Sequence, residues 1–187
     1  MKYIGIAGFA GSGKDTAADA ISSIFPQAKS HFLATPLKNT VSDLFMIPSH
    51  HMYDRTKKEE INKEWGKSPR QIMQDFGMMI RQNFGDDFWI KRLDITLGYL
   101  YSKEHEQDNI IVVPDIRFQN EIDWIYSKGG ILLVIQRDSI EPMDHPSERI
   151  NILNLKEEQT HYIQNNSTIS AFKVSVINAV QSYILSK

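Results

Sequence analysis

The stretch Gly8-Phe9-Ala10-Gly11-Ser12-Gly13-Lys14-Asp15-Thr16 narrows what this chain can fold into more than any other. It follows the apolar run Tyr3-Ile4-Gly5-Ile6-Ala7 and leads straight into Ala17-Ala18-Asp19-Ala20-Ile21. Strand, glycine-rich turn and helix, in that order, are the setting of a phosphate-binding loop. Glycines let successive backbone N–H groups turn inward around a polyphosphate, and the new helix adds the positive end of its dipole. Lys14 then reaches the β and γ phosphates as a mobile point charge. The pattern G-x-x-x-x-G-K-[ST] holds from Gly8 to Lys14 and breaks at its last place, where Asp15 stands and Thr16 comes one residue late. A carboxylate is a hard ligand for Mg²⁺, directly or through water, so Asp15 is read as metal-linked. Its plainer role is a favourable acid in the first turn of a helix.

The second signal is Ile110-Ile111-Val112-Val113-Pro114-Asp115. Four β-branched residues make a central strand and Asp115 emerges at its carboxyl end, the edge that carries ligands in open α/β sheets. A phosphate-loop protein needs an acid there to hold Mg²⁺ through water, so Asp115 is the second metal candidate. Arg117 follows two residues on, and Glu121 four after that on the next helix. The competing reading is a Pro-Asp turn with a surface Arg–Glu pair.

The third is a helix opened by Ser68-Pro69-Arg70, a cap followed by proline at the first helical position. Ile72, Met73, Phe76, Met79 and Ile80 form one apolar face, while Arg70, Gln74, Gly77 and Arg81 form a polar one. A mid-helix glycine costs about 1 kcal/mol relative to alanine, so something is expected to approach the backbone at Gly77. A base or sugar lying across it, between arginines, fits that pattern. Arg70 at the helix N-terminus opposes the dipole unless an anion joins it.

Strands are expected over 2–7, 30–34, 110–115, 131–136 and 161–164, and helices over 13–24, 37–45, 68–84, 86–103, 119–128 and 168–185, with Thr35-Pro36 as cap and first helical residue of the second helix. Residues 49–67 are the most polar stretch and read as a solvated, mobile insertion, with the adjacent His50 and His51 a poor basis for a zinc site. The proline-punctuated stretch 137–149 stands where a lid would, with Arg137 and Arg149 available to move onto phosphates.

At 187 residues the chain suits one domain. A formal net charge of −2 does not announce a nucleic-acid polymer or a membrane as partner. The absence of cysteine excludes disulfides and thiolate metal sites and is compatible with a reducing cytoplasm. The first strand begins at once, so no signal peptide is expected, and no apolar run approaches the length of a membrane span.

Four segments together resemble the deoxynucleoside monophosphate kinases of tailed phages, a branch of the P-loop kinases. They are Gly11-Ser12-Gly13-Lys14-Asp15-Thr16; Ser68-Pro69-Arg70 through Gln74 and Gly77 to Trp89; Pro114-Asp115-Ile116-Arg117 with Glu121; and Asp144-His145-Pro146-Ser147-Glu148. The resemblance implies a three-layer α/β fold with a parallel sheet of about five strands, a helical substrate-binding insertion at about 49–105 and a lid at about 137–150. It implies that ATP and Mg²⁺ bind at Gly11, Ser12, Gly13, Lys14, Asp15 and Thr16, with Arg137 closing from the lid. It implies a deoxynucleoside monophosphate (dNMP) surrounded by Arg70, Gln74, Gly77, Met78, Trp89, Asp115, Arg117 and Glu121, with Arg70 and Arg117 on its phosphate. Some members carry basic residues at the positions of Ala10 and Gly11, and such contacts are lost here. Family members are often homodimers, and a phage enzyme of this kind works in the host cytoplasm. The residues alone leave open another small-molecule P-loop kinase, of dephospho-coenzyme A or phosphomevalonate type. They also leave open a nucleotide-dependent switch or hydrolase acting on a partner protein, and a loop kept for binding only.

Overall fold

A computed structural model describes residues 1–101, 109–140 and 154–185. The end of the fourth expected helix and lid residues 141–150, including Arg149, lie outside the described residues. Those described form two compact units, Met1–Phe32 with Asp94–Lys187, and Leu33–Leu93.

The first unit holds five strands: β1 (Lys2–Ala7), β2 (Ala28–Ser30), β3 (Ile110–Ile116), β4 (Ile131–Gln136) and β5 (Thr160–Gln164). They form one sheet in the order β2-β3-β1-β4-β5, with every neighbouring pair parallel. The near-continuous burial of β1, β3 and β4, rich in Val, Ile and Leu in the last two, is that of strands covered on both faces. Helices α1 (Lys14–Ile24) and α6 (Ile169–Leu185) cover one face, burying Ala17, Ala18, Ile21, Phe172, Val176 and Val180 against Ile4, Ile6, Val112 and Leu133. Helix α5 (Gln119–Ser127) lies on the other, with Ile125 against Gly5 of β1. This is a three-layer α/β fold.

β2 begins two residues earlier than expected and is shorter. Residues 28–30 pair with Ile110–Val112, and the His31 N–H makes the last ladder bond, to the Val112 carbonyl at 2.8 Å. Beyond it Phe32 is exposed and the chain turns, so the apolar Phe32-Leu33-Ala34 run is not strand.

The second unit contains α2 (Thr35–Leu44) and α3 (Pro69–Phe84), and α4 (Phe88–Leu100) starts there. Ala34, not Thr35, is the N-cap of α2. α2 ends in a Schellman turn: the Met46 N–H reaches the Asp43 carbonyl (3.3 Å) and the Ile47 N–H the Ser42 carbonyl (3.0 Å), with Met46 left-handed at φ 50°. Ile47 is thereby delivered into a small core with Val41, Met52 and Ile72.

Residues 49–67 are mostly exposed, as expected of their composition, and are anchored at a few points. Ser49–Met52 is a 3₁₀ turn that buries Met52. Trp65 donates its indole N–H to the Phe45 carbonyl at 2.8 Å and meets the Phe45 ring edge-to-face. The backbone N–H groups of Lys57 and Thr56 hold the Asp54 carboxyl below the usual carboxylate range. Asn62 folds the next turn by accepting from the Glu64 and Trp65 N–H groups. Among the described residues, no helix is long and apolar enough to cross a membrane.

Candidate active site

The loop after β1 is built on left-handed backbone. Gly8, Gly11 and Gly13 have φ of 147°, 82° and 111°, conformations open to glycine and costly for other residues. Gly13 caps α1, and Lys14, the first helical residue, folds its side chain back across the loop. Its ammonium donates to the Gly8 carbonyl (2.7 Å) and the Phe9 carbonyl (2.8 Å), and the residue is 9% exposed. A cation is thus fixed inside a ring of backbone at the positive end of a helix, where an anion is favoured twice over. Ser12 is 1% exposed, and its hydroxyl has no hydrogen-bond partner among the described residues. Asp15 is exposed in the first turn of α1, with the half-buried Thr16 beside it. The loop fits a polyphosphate, and an exposed carboxylate at its mouth fits a hard cation.

β3 leaves the sheet next to this loop. Gly5 pairs with Val113 and Ala7 with Ile116, so two residues of β1 span three of β3, and the bulge falls at Pro114-Asp115. A bulge re-aims the side chain it carries, and proline, which cannot donate to a ladder, is tolerated there. Asp115 is the one incompletely buried residue of the strand. β1 and β3 are neighbours whose connections run to opposite sides of the sheet, the switch point where open α/β sheets hold ligands.

Glu121 is organised differently from the expectation that it faces substrate. It is 3% exposed, and one carboxylate oxygen accepts from the Arg117 N–H (2.7 Å) and the Phe118 N–H (3.1 Å). It therefore caps α5 and fixes the turn on which Arg117 stands. After β4, Arg137 is exposed in a turn closed by the Ile140 N–H on its carbonyl (3.1 Å). His31, after β2, bonds the Tyr101 hydroxyl through Nε2 at 2.9 Å, and burial pushes its pKa down.

In the second unit, Ser68 and Gln71 form the capping box that starts α3. Arg70 in its first turn is joined by an anion, as the dipole argument requires, but from the protein: Nε donates to Glu59 at 2.6 Å. The Arg70 side chain is only 15% exposed. Gly77 is buried, and a side chain there would begin 3.2 Å from Leu37 Cδ2 of α2. Arg81 is 6% exposed and donates to the Asp86 carbonyl, closing the end of α3. Gln74 and Met78 are half-buried on α3. Trp89 is 9% exposed and stacks edge-on with Phe88, a core position.

A model of the deoxynucleotide monophosphate kinase family matches residues 46–176. The chain belongs to that family. This kinase is also 31% identical, over 97% of both chains, to a putative deoxynucleotide monophosphate kinase of Acanthamoeba polyphaga mimivirus. Two solved structures share its fold: a dephospho-CoA kinase from Campylobacter jejuni and a sugar kinase from Janibacter sp. HTCC2649. The first is 15% identical with TM-score 0.51 over 98% of each chain. The second is 10% identical with TM-score 0.52 over 97% of this chain and 95% of the other.

Two residues of the kinase that sequence reasoning passed over touch the expected site residues. Glu59 lies in the polar stretch 49–67, and its pairing with Arg70 spans eleven residues and depends on how the loop folds. Asn165 follows the last strand. Its side chain donates to the Ser12 carbonyl at 2.7 Å across a separation of 153 residues, which no local pattern signals.

Proposed function

We propose that this chain transfers the γ-phosphoryl group of ATP to a deoxynucleoside monophosphate, giving ADP and the deoxynucleoside diphosphate. The observation that carries the reading is the Lys14 ammonium held on the carbonyls of its own glycine loop, in a chain of the deoxynucleotide monophosphate kinase family. The loop N–H groups and Lys14 bind the β and γ phosphates of ATP, and Thr16 adds a hydroxyl at the start of α1. Asp15 and Asp115 would hold Mg²⁺, directly or through water. When bound, Mg²⁺ supplies positive charge to the phosphate oxygens as negative charge develops on them. Arg117 and Arg70 take the acceptor phosphate, and Gln74, Met78 and Trp89 shape the nucleoside site. Gly77 contributes by keeping α3 close to α2, and Glu121 by holding Arg117. Arg137 reaches the donor phosphates. We place the reaction in the cytoplasm, where ATP and dNMPs are found.

Two anions brought within reach of each other repel, so most of the catalysis is positioning and charge neutralisation. Arg117 is the group that makes in-line approach of the acceptor tolerable. The test is the fate of label from [γ-³²P]ATP incubated with Mg²⁺ and dNMPs. Label on a deoxynucleoside diphosphate supports the reading. Label appearing only as inorganic phosphate makes the chain a hydrolase and rejects it.

A further inference from the structure

We propose that Asn165 is a positioning residue for the donor nucleotide, acting through the Ser12–Gly13 peptide. The inference rests on ATP occupying the loop, as above. Asn165 is fixed at the carboxyl edge of the sheet, its own N–H on the Gln136 carbonyl at 2.8 Å. From there Nδ2 donates to the Ser12 carbonyl at 2.7 Å. In a planar trans peptide the carbonyl and the next N–H point in opposite directions. Holding the Ser12 carbonyl toward Asn165 therefore turns the Gly13 N–H to the other side of the peptide. Gly13 is the cap of α1, so this N–H belongs to the set that a phosphate at the helix N-terminus uses.

Position 13 favours glycine because its φ of 111° is one that side chains rarely adopt. A side chain there would also begin 2.5 Å from Asn165 Nδ2, so the Asn165 amide would have to shift from its place on the loop. Glycine alone leaves this peptide free to rotate, and Asn165 removes that freedom by a bond from outside the loop. An amide in this place brings a donor without adding charge near the phosphates.

The experiment compares Asn165→Ala and the isosteric Asn165→Asp with wild type. Readouts are ATP affinity by calorimetric titration, the KM for ATP, the KM for dNMP, and heat stability without nucleotide. Loss of one hydrogen bond that orients a phosphate donor corresponds to roughly fivefold to tenfold weaker ATP binding in Asn165→Ala. Asn165→Asp loses the donor and adds a negative charge, so its loss is larger. The KM for dNMP stays within about twofold in both. ATP affinity unchanged in both variants overturns the proposal. So does a fall in heat stability with both KM values moving together, since that is what a packing role alone produces. Wild type that binds no ATP overturns the donor-site reading along with it, and is distinguished by failing before any substitution.

Discussion

Glu121 ties the fold to the proposed chemistry, and its substitution has effects that can be worked from the structure. One oxygen of a carboxylate that is 3% exposed accepts two backbone N–H groups, those of Arg117 and Phe118, at the start of α5. A hydrogen bond to a charged group contributes about 1.5–3 kcal/mol net, roughly twice a neutral one. Glu121→Gln keeps an oxygen in reach of both N–H groups and loses the charge, so a cost of about 1–2 kcal/mol is expected. Glu121→Ala leaves both part-buried donors without that acceptor and costs about 2–3 kcal/mol. Urea titration followed by circular dichroism reads these as shifts of the midpoint at unchanged slope. Because the Arg117 N–H is one of the two groups whose hydrogen bond is weakened, the KM for dNMP rises severalfold in Glu121→Gln while ATP affinity stays at the wild-type value. A Glu121→Ala protein as stable as wild type contradicts the capping argument. A Glu121→Gln protein with unchanged dNMP kinetics contradicts the link to Arg117.

Three further substitutions test other parts of the structure. Met46 is left-handed and 90% exposed at the end of α2. Relief of about 1–2 kcal/mol of backbone strain outweighs the added chain entropy of glycine, so Met46→Gly raises stability by about 0.5–1 kcal/mol in urea titration. Ser12→Ala removes a buried hydroxyl without a partner among the described residues, and the nucleotide-free protein is expected to melt at the same temperature or higher. Burial holds the His31 pKa below its ordinary 6.5, so as pH falls the unfolded chain takes up that proton before the folded one. Stability is therefore lost relative to His31→Gln as pH drops through about 6.5 and below, and parallel pH–stability curves for the two proteins would exclude the effect.

Much of the fold and part of the site can be read from local pattern. The glycine loop declares itself because the strand before it, the helix after it and the lysine within it all agree at short range. β3 with Asp115 is legible because four buried β-branched residues precede a Pro-Asp pair, although the bulge that aims Asp115 is visible only in its register with β1. The start of α3 follows from Ser68, Pro69 and Gln71 without tertiary information. Legibility fails where distant parts of the chain decide the outcome. β2 is a three-residue edge strand whose place depends on β3, and the more apolar residues just after it misdirect the eye. Residues 49–67 are mostly exposed, as their composition indicates, but nothing in that composition shows that the Phe45 carbonyl, the buried Met52 and Arg70 anchor them. The sequence does not show that α2 brings Leu37 against Gly77. Arg81, read as one end of a binding face, is buried on a carbonyl five residues away.

The central claim is phosphoryl transfer to a deoxynucleotide, and ADP release tests it most directly. The assay supplies Mg-ATP with each of dAMP, dCMP, dGMP and dTMP, with each ribose counterpart, and with no acceptor. Turnover that requires a deoxynucleoside monophosphate, and that Arg117→Ala abolishes while ATP binding survives, is the predicted result. ADP release at the same rate in the blank as in every acceptor tube would contradict it.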